Sequence, residues 1–112
     1  MALKTRSAGS VAILELDGRF DAHVTPPVAQ RLEQAASTNP AQVVVNLTGV
    51  HFVDSTALAA LVKGMKRCRQ QNGDLYLCGL QQPVRIIFEL TRLDKAFAIY
   101  ATEAEAVTAF VN

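Results

Sequence analysis

The sequence predicts an α/β layer fold built on a mixed sheet. Three observations lead there. Up to five strand-like stretches alternate with four stretches of helical spacing, and elements that alternate in this way pack as layers of helix on sheet. The first two strand candidates, residues 3–7 and 11–16, are joined only through Ala8-Gly9-Ser10. That connection is too short for a crossover, so the pair forms an antiparallel hairpin within a sheet whose other connections are helical. Finally, 112 residues with 50% apolar and 19% charged side chains suit one domain, 1–112, that buries about two-thirds of its extended surface. The same composition excludes a disordered tail or a solvated coiled coil.

Each element has a local reason. Residues 11–16 are apolar except for Glu15, the pattern of a strand covered on both faces, and Asp17-Gly18 supplies a turn after it. Thr25-Pro26-Pro27 opens a helix, with threonine as N-cap and proline in the first helical position. Val28, Leu32, Ala35 and Ala36 lie on one face of that helix, which ends ahead of Asn39-Pro40 because the residue before proline is driven from helical geometry. Val43-Val44-Val45 is a β-branched run that suits a central strand. From Ser55, the residues Leu58, Leu61, Val62, Met65 and Cys68 recur at helical spacing until Asn72-Gly73 closes the helix. Residues 75–78 form a strand, and Pro83 starts a short helix with Val84, Ile87 and Phe88 on one side. Ala98-Ile99-Tyr100 is an edge strand, and Thr102 with Glu105 makes a capping box ahead of Val107, Phe110 and Val111.

Composition narrows the function. A formal net charge of +1 gives no electrostatic footprint for nucleic acid. No apolar run approaches the ~18 residues of a membrane span, and residues 1–6 lack the apolar core of a signal peptide. Two cysteines, Cys68 and Cys78, cannot build a four-cysteine zinc site, and His23 and His51 lack paired ligand spacing, so neither metal nor cofactor is expected. A cytoplasmic location with reduced thiols is the expectation. No G-x-S-x-G elbow surrounds Ser55, and Asp54 is adjacent to it in sequence, so a Ser-His-Asp hydrolase with His51 is disfavoured and no enzymatic activity is expected. Lys63, Lys66, Arg67 and Arg69 cluster on one helix, the pattern of a solvated face or of a surface that meets an acidic partner. Asp54-Ser55-Thr56 reads first as a helix cap. That cap is the commoner role of such a triplet; the other is a place to carry phosphate, because the unpaired N–H groups and positive dipole end of a helix stabilise an added dianion.

The run Val43-Val44-Val45-Asn46-Leu47-x-x-Val50-x-Phe52-Val53-Asp54-Ser55-Thr56-Ala57-Leu58 resembles the signature of STAS domains of the bacterial anti-sigma factor antagonist type. Leu16-x-Gly18-x-x-Asp21-Ala22 before it resembles the family's early turn. Pro83-Val84, Phe88-Glu89-Leu90-Thr91-x-Leu93-x-Lys95-x-Phe97-x-Ile99-Tyr100 and Glu105-Ala106 follow in family order. The resemblance implies four to five strands in a mixed sheet with about four helices packed mainly on one side. It implies a binding switch rather than a catalyst: a partner that is both serine kinase (GHKL type) and anti-sigma factor phosphorylates the serine at position 55, with Thr56 a minor candidate. The unphosphorylated domain captures that partner and frees a sigma factor, and a separate phosphoserine phosphatase resets it. Asp21 falls where the family carries an acidic residue beside the phosphorylation site, and Asp54, Thr56, Ala57 and Leu58 flank it. The family pattern D-S-[ST]-G-L-G departs here at Ala57 and Ala59, where alanine stiffens the helix by up to about 1 kcal/mol per site. Other members of the family act as non-phosphorylated subunits that dock onto a transporter or lipid-trafficking complex, and this is the alternative.

Overall fold

A computed structural model describes residues 2–111. Ten elements follow in chain order. They are β1 (Ala2–Ala8), β2 (Val11–Phe20), α1 (Thr25–Ala35), β3 (Gln42–Val53), α2 (Ser55–Gln70), β4 (Asp74–Cys78), α3 (Gln82–Leu90), a single 3-10 turn (Leu93–Lys95), β5 (Ile99–Tyr100) and α4 (Glu103–Val111). The strands form one sheet in the order β1-β2-β3-β4-β5. β1 and β2 pair antiparallel through a two-residue loop in which Gly9 takes φ +61°, the left-handed geometry that a tight hairpin requires. All other pairs are parallel, so the sheet is mixed, as the short first connection predicts.

The two sheet faces are covered unequally. Leu14, Leu16, Val43, Val45 and Leu47 pack beneath Val28 and Leu32 of α1, Leu61 and Met65 of α2, and Val84 and Phe88 of α3. The opposite face holds Val11, Ile13, Val44 and Cys78 beneath Ala106 of α4, with Tyr76, Tyr100, Val107 and Phe110 partly buried around them. Three helices therefore lie on one face and one on the other. The alternation of β2 and β3 side chains between these two clusters explains why both strands read as nearly continuous apolar runs.

Several sequence expectations are corrected. Asp17-Gly18 is not a turn, because β2 continues to Phe20. The parallel register with β3 shifts between Glu15 and Asp17 and again between Gly18 and Arg19, with Gly18 at φ +107°. The Asp-Gly signature is thus spent on a bulge inside a strand. β3 is likewise 12 residues long, running on to Val53 because its extended neighbour supplies partners. Thr25 is not an N-cap: α1 is capped by Val24 without a side-chain hydrogen bond, and Thr25 Oγ1 instead donates to the Asp21 carbonyl at 2.8 Å. Asn72-Gly73 does close α2, which ends at Gln70, and Asn72 takes the left-handed conformation at φ +60°. In the final capping box, Glu105 N donates to Thr102 Oγ1 at 3.2 Å, as the T-x-x-E spacing predicts.

Candidate functional site

The parallel strands β2 and β3 end side by side, and the segments that leave them meet at the start of α2. Asp54 ties the junction together. It is the N-cap of α2, in extended geometry. Its Oδ1 accepts from Ala57 N at 3.0 Å and from Thr56 Oγ1 at 2.6 Å. Its Oδ2 reaches 32 residues back along the chain to accept from Ala22 N at 2.9 Å, while Asp54 N donates to the Phe20 carbonyl at 3.3 Å. The hydroxyl of Thr56, and then the N–H of Ala57, stabilise the charged form and lower the Asp54 pKa below the usual aspartate range.

The Ala22 contact fixes the loop that carries Asp21. In that loop the Asp21 carbonyl accepts from Val24 N and Thr25 N, its Oδ1 accepts from His23 N at 3.1 Å, and its Oδ2 lies 3.7 Å from Arg19 Nε. Asp21 therefore sits on a short, internally bonded loop fastened directly to the cap of α2. The expected site residues are thereby gathered at one end of the molecule. Ser55 is the first residue of α2 and exposed, as is Thr56. Thr56 has its hydroxyl committed to Asp54, whereas Ser55 presents its own to solvent. Ala57 is fully buried, so it adjoins the site through its backbone N–H and not its methyl group. Leu58 is half-buried and donates its N–H to the Asp54 carbonyl at 3.1 Å.

Three contributors escape a reading of the sequence: the Ala22 N–H, Arg19 and Phe52. The Arg19 guanidinium carbon lies 3.8 Å from the centroid of the Phe52 ring, against the same rim. An N–H carries no residue-type signal, and the Arg19–Phe52 pairing depends on the shifted strand register. The residues outside this site behave as packing or solvated groups. Cys68 and Cys78 are buried, and burial pushes their thiols up to about 11 and about 12. Arg67 pairs with Glu33 at 3.4 Å, and Arg69 with Asp74 at 3.1 Å. Among the described residues no three His, Cys, Asp or Glu side chains converge to hold a metal ion, and no helix is long and apolar enough to cross a membrane.

The family model of the STAS domain matches residues 2–106. The chain belongs to the STAS domain family. Among curated relatives of this STAS protein, an anti-sigma-B factor antagonist of Listeria monocytogenes is 31% identical over 103 residues, which span 92% of this chain and 90% of the relative. Among solved structures, a STAS domain protein from Planctomyces limnophilus described as an anti-sigma-factor antagonist superimposes with a TM-score of 0.90 at 23% identity, covering 98% of both chains. The Bacillus cell fate determinant SpoIIAA in its phosphorylated form superimposes with a TM-score of 0.75 at 20% identity, covering 96% of this chain and 98% of its own. The mixed sheet with three helices on one face is therefore the STAS fold.

Proposed function

We propose that this STAS protein is an anti-sigma factor antagonist whose hold on an anti-sigma factor is switched by phosphorylation of Ser55. The observation that carries the reading is the contrast between neighbouring hydroxyls. Ser55 stands exposed at the first position of α2, and Thr56 is held by Asp54 at 2.6 Å. The names of its relatives supply the partner class, an anti-sigma factor. In this reading that partner is also the serine kinase, of GHKL type, and a phosphoserine phosphatase reverses the modification.

The chemistry follows from position. Phosphate adds about −1.5 to −2 charges beside first-turn N–H groups and a dipole that favour an anion, so the domain accommodates it without rearranging. The partner does not. A surface shaped around a neutral hydroxyl then faces a partly desolvated dianion next to Asp21 and Asp54, and an unpaired charge in an interface costs several kcal/mol, roughly 3–5. Capture is lost, and the anti-sigma factor returns to its sigma factor.

Incubation with the kinase and ATP should add one phosphate, mapped to Ser55, and Ser55→Ala should take up none. Stoichiometric phosphate on the Ser55→Ala protein would overturn the assignment. The second reading, a non-phosphorylated docking subunit of a transporter or lipid-trafficking complex, draws on Ala57 and Ala59 standing where the family pattern has glycines. Of these only Ala59 is exposed, so only its methyl group meets a kinase cleft. Wild-type protein that remains unmodified under these conditions would favour that reading.

A further inference from the structure

We propose that Arg19 is a positioning residue of the Ser55 site: it steadies Asp21 in the unmodified protein and lends its positive charge to the phosphoserine dianion in the modified one. The inference rests on Ser55 as phosphoacceptor and concerns a residue outside the D-S-T signature. Arg19 pairs in register with Phe52 across the ends of β2 and β3. Its guanidinium lies 3.8 Å from the Phe52 ring centroid, a planar cation stacked on an aromatic face. Its Nε is 3.7 Å from Asp21 Oδ2, and the side chain is 67% exposed. The arginine is thus parked on a ring and loosely paired with one carboxylate, oriented yet free to turn.

The surroundings give that charge its significance. Asp21 and Asp54 contribute two carboxylates at this rim, joined through Ala22 N and Asp54 Oδ2 at 2.9 Å. His23 lies in the Asp21 loop and His51 beside Phe52, both exposed. The basic residues of α2 begin at Lys63, eight positions along the helix from Ser55 and so roughly 12 Å away. Two residues, Val53 and Asp54, separate Phe52 from Ser55, three steps and at most about 11 Å of chain. At low ionic strength, charges that far apart still interact. A cation in this place stabilises the dianionic phosphate over the monoanion, and its removal raises the second phosphate pKa.

The test is a phosphorus-31 NMR titration at low salt of protein in which phosphoserine is incorporated at position 55 during synthesis. No kinase is then needed, so failure of kinase-dependent labelling would overturn the phosphoacceptor reading and leave this comparison standing. Phosphoserine in Arg19→Gln should titrate a few tenths of a pH unit higher than with Arg19 present. Arg19→Lys, which keeps the charge and loses the planar stack, should recover at least half of the difference. His23 and His51 are common to all three proteins, so the differences report Arg19. Indistinguishable titrations for Arg19 and Arg19→Gln would overturn the proposal, as would Arg19→Lys behaving like Arg19→Gln.

Discussion

At the scale of single residues, Asp54 carries more of the site than its neighbours. One carboxylate closes the first turn of α2 and holds a loop from 32 positions away. Replacing it with alanine removes the cap and leaves Ala22 N without its partner, so thermal unfolding should come roughly 5 °C lower. Asp54→Asn separates the two tasks. Its amide oxygen can still accept from Ala57 N and Thr56 Oγ1, but its NH₂ then faces the Ala22 N–H, donor against donor. The expected result is a smaller loss of stability, with amide shifts concentrated in residues 21–25; a loss as large as that of alanine, without those shifts, would mean that the loop contact contributes nothing. The pH dependence has a definite direction. The Asp54 carboxyl is more acidic in the folded protein, as is that of Glu103, which Arg6 holds. Their contributions are therefore complete above the unfolded value near pH 4 and are lost as pH falls through the lower folded values. Melting temperature should be flat above about pH 5 and fall below about pH 4, with a shallower fall in Asp54→Asn. The cap itself is readable from Asp54-Ser55-Thr56 because an N-cap acts within three residues. Its bond to Ala22 is not readable, since the donor is a main-chain group whose proximity depends on how β2 and β3 end.

At the scale of elements, the approach of α2 to β4 shows how a turn residue can be recognised for the wrong reason. Asn72-Gly73 reads as a helix stop, and α2 does end at Gln70. Yet Asn72 takes the left-handed conformation, at φ +60°, and Gly73 is needed because a Cβ there would lie 1.8 Å from the Ala41 carbonyl oxygen. That oxygen accepts from Asp74 N at 3.0 Å, at the entry to the β3–β4 pairing. Gly73→Ala must displace backbone, and an expected loss of about 3 kcal/mol in urea unfolding follows from overpacking at a fixed site. A cost below about 1 kcal/mol, the ordinary difference between alanine and glycine, would show that the Ala41 segment yields freely. Strand length is the other property hidden from local sequence. Val43-Val44-Val45 identifies β3, but the continuation through Leu47, Val50 and Val53 is interrupted by Thr48-Gly49, and Asp17-Gly18 interrupts β2 at the matching place. Each interruption resembles a strand end by itself. Paired, they form one irregular stretch of ladder in which a Cβ on Gly49 would stand 2.6 Å from Asp17 Oδ1.

At the scale of the whole molecule, the alternation of elements and the short first hairpin made the layered mixed sheet legible, while the fourth helix's place on the opposite face depends on which side of β4 is left bare for Tyr76 and Phe110 to stack at 3.9 Å. This architecture bears directly on the proposed switch. The loops after β2 and β3 share the carboxyl end of the parallel strands, the end at which open α/β sheets present their binding residues, and β4 contributes no residue to the Ser55 site. In the proposed switch, a negative charge on Ser55 meets the first turn of α2 and the Asp21 loop, and the buried cluster behind them is expected to stay unchanged. Ser55→Glu should therefore keep the fold and melting behaviour of the parent while binding an anti-sigma factor at least tenfold more weakly, and Ser55→Ala should bind at least as well as the parent. Amide chemical shifts provide the discriminating measurement. Changes confined to residues 19–24 and 54–60 are expected for a charge that acts locally at the partner surface. Large changes in residues 75–78, a strand sealed between Leu61 and Met65 on one side and Ala106 on the other, would require the helices to move over the sheet, and the switch would then be conformational rather than electrostatic.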